Sequence, residues 1–136
     1  MKKQNIWVIT VAVLLAVAIL SFFFTNTVKI DEDEQATLCY KYGDKDIDVK
    51  LTSEESKSIR DILNNESLVF ESGLSCGFND DIYISFSDGF TTKTFYPVCD
   101  GCTFLKYNGK VLSVEKEEME TLHEILDGYG ATWPCV

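Results

Sequence analysis

The hydrophobic pattern of this chain changes period twice. From Ile6 to Phe24 the order IWVITVAVLLAVAILSFFF carries no charge and no polar face. At about 1.5 Å per residue, an apolar helix of that length nearly matches a hydrocarbon core of about 30 Å. Residues 6–28 are therefore expected to form a transmembrane helix.

Beyond residue 35 the period shortens to two. In ATLCYKY, Leu38, Tyr40 and Tyr42 alternate with Thr37, Cys39 and Lys41, and after the turn-like stretch Gly43 to Asp46 the segment IDVKL alternates again. This is a hairpin pattern. A second hairpin joins IYISFS to FTTKTFY through Asp88-Gly89, a dipeptide that supplies the positive φ angles of a tight primed turn. A third joins TFLKY to KVLSV through Asn108-Gly109. In the second, Ile82, Ile84 and Phe86 share one strand face, which leaves Tyr83 on the other with Ser85 and Ser87.

Two further stretches have helical period. Thr52 with Glu55 three residues later makes a capping box, starting a helix that carries Ile59, Ile62 and Leu63 on one side. The last helix begins near Glu115, is acidic at its start, carries Met119, Leu122, Ile125 and Leu126, and stops at Gly128. Glu54, Glu55, Ile59, Ile62 and Leu63 recur in order as Glu117, Glu118, Leu122, Ile125 and Leu126, each set after a hairpin. That echo is compatible with two strand-strand-helix units, and equally with two unrelated capped amphipathic helices. The expected fold class is α+β: an N-terminal transmembrane helix, then an antiparallel meander sheet of roughly five to seven strands with two helices on one face.

Charge assigns sides to this plan. Lys2 and Lys3 precede the apolar run and Asp31, Glu32, Asp33 and Glu34 follow it. The positive-inside rule then makes residues 1–5 a cytoplasmic tail, residues 29–35 a charged stalk, and residues 36–136 an extracytoplasmic domain at the cell membrane. Cleavage of the apolar run as a signal peptide would secrete that domain. The run is longer than a signal peptide needs, however, and Thr25-Asn26-Thr27 is a poor cleavage site. From Asp31 onward, nine of the 12 basic residues face all 22 acidic ones, a net of −13. Such a field repels phosphate backbones and anionic headgroups, which argues against nucleic acid and against a membrane-surface role for the domain. The partners it suits are the lipid bilayer, through the apolar helix, and a protein more basic than acidic. The single arginine, Arg60, among 12 basic residues hints at an AT-rich bacterial genome.

Five cysteines, Cys39, Cys76, Cys99, Cys102 and Cys135, all fall in the outer part, as an oxidising compartment would favour. Five is odd, so one thiol stays single or pairs with another molecule. Cys99-Asp100-Gly101-Cys102 could close a redox disulfide or lend two thiolates to zinc. Against catalysis, a strand rather than a helix N-terminus follows the pair, and Asp100 sets a negative charge between the thiols. Zinc would need Cys76, Cys39 or the lone His123 as further ligands, and no second close pair exists. Structural disulfides suit the pattern best.

Asp44, Asp46, Asp48 and Glu55 occupy positions of a calcium loop, yet Val49 stands where glycine belongs and the three aspartates alternate as the wet face of a strand would. His123, beside Met119 and Leu126, reads as a boundary helix residue rather than a base. With one histidine and no phosphate-cradling glycine loop, neither a hydrolase triad nor a nucleotide site can be built, and no cofactor is called for. The expectation is a non-enzymatic, membrane-anchored binding module of immunity, inhibitor or envelope type, with Tyr83 as an exposed aromatic for a partner. The alternative is a tethered thiol-disulfide oxidoreductase using Cys99 and Cys102.

Overall fold

The computed structural model describes residues 2–25, 27–66, 68–69, 77–99 and 101–132, without the side chains of 2–5, 22–25 and 68–69. Cys76, Asp100 and Cys135 lie outside the described residues. The elements are α1 (Lys2–Thr25), β1 (Gln35–Tyr42), β2 (Lys45–Lys50), α2 (Ser53–Asn65), β3 (Leu68–Val69), β4 (Ile82–Ser87), β5 (Thr92–Pro97), β6 (Phe104–Tyr107), β7 (Lys110–Ser113) and α3 (Lys116–Gly128).

The described side chains of α1, residues 6–21, cover about 24 Å of helix and are all exposed. Among the described residues no helix is long and apolar enough to cross a membrane. The span expected over 6–28 is thus not carried by those residues, and α1 itself ends at Thr25.

The fold is α+β with an antiparallel sheet in the order β2-β1-β4-β5-β6-β7-β3, six strands of four residues or more plus the two-residue β3. A pure meander is therefore corrected. β4 to β7 do form one, but the β1–β2 hairpin is added at one edge through β1–β4 pairing, and β3 closes the other edge on β7. Each outer hairpin, β1–β2 and β6–β7, is followed by a helix.

One face of the sheet carries Ala36, Leu38, Tyr40, Ile82, Ile84, Phe86, Phe95, Leu105 and Leu112, all buried. Onto it pack Ile59, Ile62 and Leu63 of α2 and Met119, Leu122 and Leu126 of α3, in one continuous core. Both helices keep the apolar stripe their spacing requires. At the start of α2, Thr52 Oγ1 accepts from Glu55 N and Glu55 Oε2 accepts from Thr52 N, so the capping box is formed.

Turn chemistry separates the hairpins. Asn108 and Gly109 both have positive φ, 49° and 72°, as a two-residue primed turn demands. The Asp88-Gly89 expectation fails. Ser87 pairs with Thr92, leaving a four-residue loop in which Asp88 accepts from the backbone N–H groups of Phe90 and Thr91 instead of entering the left-handed region. Asp88 thereby keeps its carboxyl below the usual carboxylate range. At the end of α3 the left-handed glycine is Gly130, φ 82°, two residues past the expected stop.

The charged stalk is a second correction. Val28 and Ile30 are buried in the core, and the Asn64 side-chain amide closes on both the N–H and the C=O of Ile30, at 2.8 and 2.9 Å. Glu34 is 1% exposed; its carboxylate takes Asp31 N–H and the Lys93 ammonium, and its carbonyl accepts from the Arg60 guanidinium at 2.7 Å. Of the charges that read as a solvated linker, Glu34 is paired against the domain, while Lys29, Asp31, Glu32 and Asp33 stay exposed.

Candidate functional site

The sheet has a second face, and among the described residues no helix covers it. Register decides which residues meet there, because antiparallel partners share a side. Cys39 of β1 stands opposite Asp48 of β2 and Tyr83 of β4, and Tyr96 of β5 stands opposite Lys106 of β6. The Tyr83 and Tyr96 rings meet at 5.7 Å between centroids. A transverse row, Asp48–Cys39–Tyr83–Tyr96–Lys106, therefore runs across five strands. Thr37, Ser85 and Thr94 form the next row of paired positions and are half-buried.

Lys106 is the cation of the row. Its ammonium sits 4.7 Å from the Tyr96 ring centroid and 5.5 Å from that of Phe78, and 2.8 Å from an Asp80 carboxylate oxygen. Phe78 is brought in by a bridge to Val98, outside the main strands. Two aromatic faces and one carboxylate thus fix a lysine whose side chain is 32% exposed. The resulting surface combines half-buried rings, hydroxyls and a paired charge.

Cys39 accounts for the unusual behaviour of Tyr83. The thiol forms no disulfide and is only 5% exposed, beneath the row. The Tyr83 phenol is pushed up to about 12, first by its hydrogen bond to Cys39, then by negative charge on that sulfur, by burial, and by Asp48 and Tyr96. Tyr83 therefore stays a neutral donor, while Cys39 is placed to hold a ring rather than to meet a substrate.

The Cys99–Cys102 pair lies elsewhere, between β5 and β6. Cys99 is buried, its thiol 4.0 Å from the Pro97 carbonyl and its N–H bonded to Gly77 O, whereas Cys102 is half-buried. The residues after the pair enter β6, not a helix.

The calcium pattern does not converge. Asp44 is in the β1–β2 turn, Asp46 faces Lys41, Asp48 faces Cys39, and Glu55 is held in the capping box and by the Tyr129 hydroxyl at 2.6 Å. Those bonds keep the Glu55 carboxyl below its usual range, Tyr129 contributing most. Among the described residues no group of three or more His, Cys, Asp or Glu side chains could hold a metal. His123 is half-buried on α3, and burial lowers its pKa.

A separate polar cavity of about 580 Å³ opens between residues 30–35 and α2, lined by Glu32, Asp33, Glu34, Lys57, Arg60 and Asp61 among others. Glu34 Oε2 and Arg60 Nε are buried there without hydrogen-bond partners among the described residues. Four carboxylates against two cations make the lining net acidic, with Lys57 and Asp61 paired at 2.8 Å.

Strand alternation puts Tyr83 on the face opposite Ile82, Ile84 and Phe86, as expected, but half-buried rather than exposed. Cys39, Tyr96, Lys106 and Phe78 were missed as members of one surface, because long-range register, which no local spacing encodes, brings them together. No family model matches this chain, and no curated protein or solved structure matches it either.

Proposed function

We propose that the protein is a membrane-anchored, extracytoplasmic and non-enzymatic binding module that recognises a partner protein with the helix-free face of its sheet. The observation that carries this reading is the row Asp48–Cys39–Tyr83–Tyr96–Lys106, aromatic at its centre and charged at both ends, on a face that neither α2 nor α3 covers. Aromatic side chains with few rotamers bury much area at small entropic cost, which suits an interaction surface. The net charge of −13 from Asp31 onward favours a basic partner.

Support for the anchor comes from the amino-acid order. Residues 6–24 are uncharged, Lys2 and Lys3 precede them, and α1 extends over Lys2–Thr25. Thiol-disulfide exchange at Cys99 and Cys102 has less behind it, since a working pair gains thiolate from a helix N-terminus and here β6 follows.

The test is site-specific photocrosslinking in intact cells, with the photoreactive residue at Tyr83 or, as control, at exposed Lys57 on α2. A discrete adduct from position 83 only, lost when Tyr96→Ala is added, is expected. Equal adducts from both positions would reject the face.

A further inference from the structure

Three side chains of α2 tie the segment before β1 to the helix. Ser56 Oγ accepts from Ala36 N at 3.2 Å, an Arg60 Nη donates to the Glu34 carbonyl at 2.7 Å, and the Asn64 amide holds both backbone groups of Ile30. Spaced by four residues, the three share one side of the helix. The cavity of about 580 Å³ between that segment and α2 therefore has walls that are fixed before any ligand arrives, and its size falls within the range of about 300 to 1,000 Å³ common to small-molecule sites.

Arg60 is the odd charge in this cavity. It lines the space, is 8% exposed, and has no carboxylate within ion-pair distance among the described residues. The Glu34 carbonyl is a neutral acceptor for one of its N–H groups, and Nε is buried with nothing to bond. The Glu34 carboxylate does not neutralise it. That group is engaged by Lys93 and by Asp31 N–H, and its other oxygen, Oε2, is also buried without a partner. A buried cation is ordinarily met by an anion, since its lost hydration is otherwise uncompensated. At the exposed part of the lining the sign reverses: Glu32 and Asp33 are solvent-facing and form no ion pair among the described residues, while Lys57 and Asp61 satisfy each other.

We propose that this cavity binds a small zwitterion of the α-amino acid class, its carboxylate on the Arg60 guanidinium and its ammonium toward Glu32 and Asp33. A guanidinium fork matches a carboxylate through parallel N–H bonds. A simple anion would have to pass two unpaired carboxylates and the −13 charge from Asp31 onward, and a simple cation would meet Arg60 with no anion beside it. A molecule carrying both charges a few bonds apart satisfies both ends. The site lies between α2 and the segment before β1, apart from the open face of the sheet, and stands whether or not that face takes a partner.

The experiment is isothermal titration calorimetry of the purified full chain in detergent with L-alanine, L-leucine, L-glutamate and L-lysine, each set against its deamino and decarboxy analogues, which for alanine are propionate and ethylamine. At least one amino acid should bind in the micromolar to millimolar range, with neither of its analogues binding at about tenfold higher concentration. Arg60→Lys keeps the charge and loses the fork, and should weaken that binding by about tenfold or more. Glu32→Gln combined with Asp33→Asn, at two exposed positions where the fold is not at stake, should weaken it as well. Absence of binding by all four amino acids overturns the proposal. So does a deamino or decarboxy analogue that binds as well as its parent, or an affinity unchanged in the Glu32→Gln, Asp33→Asn variant. If Arg60→Lys loses the wild-type circular dichroism, the analogue series and the double variant decide the question without it.

Discussion

Two residues carry unlike charges for unlike reasons. Glu34 and Lys93 pair where the carboxylate side chain is 0% and the lysine side chain 21% exposed, so removing the lysine leaves a buried anion with too few partners. Lys93→Ala should therefore destabilise the domain by about 3 to 5 kcal/mol in urea unfolding. Lys57→Ala, which breaks an exposed 2.8 Å pair with Asp61, should leave the midpoint unchanged. At the centre of the open face, Tyr83 offers a spectroscopic check. One phenol in the wild-type chain should ionise only near pH 12, and Cys39→Ala should return it toward the ordinary range, since Cys39 is the largest contributor. The folded chain holds that proton more tightly than the unfolded chain does. Stability should then fall as pH rises past about 10, the unfolded phenol value, and less so in the variant.

Elements are held together by register and by their ends. Glu66, at the C-cap of α2, meets Glu118 in the first turn of α3, and burial, a hydrogen bond with Glu118 and the charges of Glu118 and Glu115 raise the Glu66 pKa. A raised folded value for an acid means the proton is bound better in the folded state. Stability is then fullest below the unfolded carboxyl value and is lost as pH rises from there through the raised folded value. Glu118→Gln should stabilise the domain at neutral pH by roughly 0.5 kcal/mol, because both groups are partly solvated. The gain should vanish in acid, as thermal melts across that range would show.

Local elements were the legible ones. The capping box at Thr52 and the Asn108-Gly109 turn follow from neighbours in sequence, whereas β3 is two residues long and offers no alternation to read. The Asp88-Gly89 dipeptide misleads because an aspartate that accepts from the N–H groups two and three residues on, here Phe90 and Thr91, makes a wider loop as readily as a primed one.

At the scale of the molecule, the decisive contacts cross long stretches of chain. Val28 and Ile30 were hidden in a run of acids, although their alternation with Lys29 was the available signal; only the partners Asn64, Arg60 and Lys93 show that the run is bound to the domain. The open face was legible one strand at a time, as Tyr83 was, and its row of five residues became visible only with the pairing of β1 to β4 and of β5 to β6.

The protein proposed above is an outer domain, anchored by α1, that engages a partner through this face. Lysine labelling of intact cells with a membrane-impermeant reagent, read by mass spectrometry against the purified full chain, addresses both halves at once. Lys57 should be modified in cells, Lys2 and Lys3 should react only after permeabilisation, and Lys106 should lose reactivity in cells relative to the purified chain while Lys57 does not. Labelling of Lys2 and Lys3 in intact cells, or a Lys106 equally reactive in both settings, would contradict this proposal.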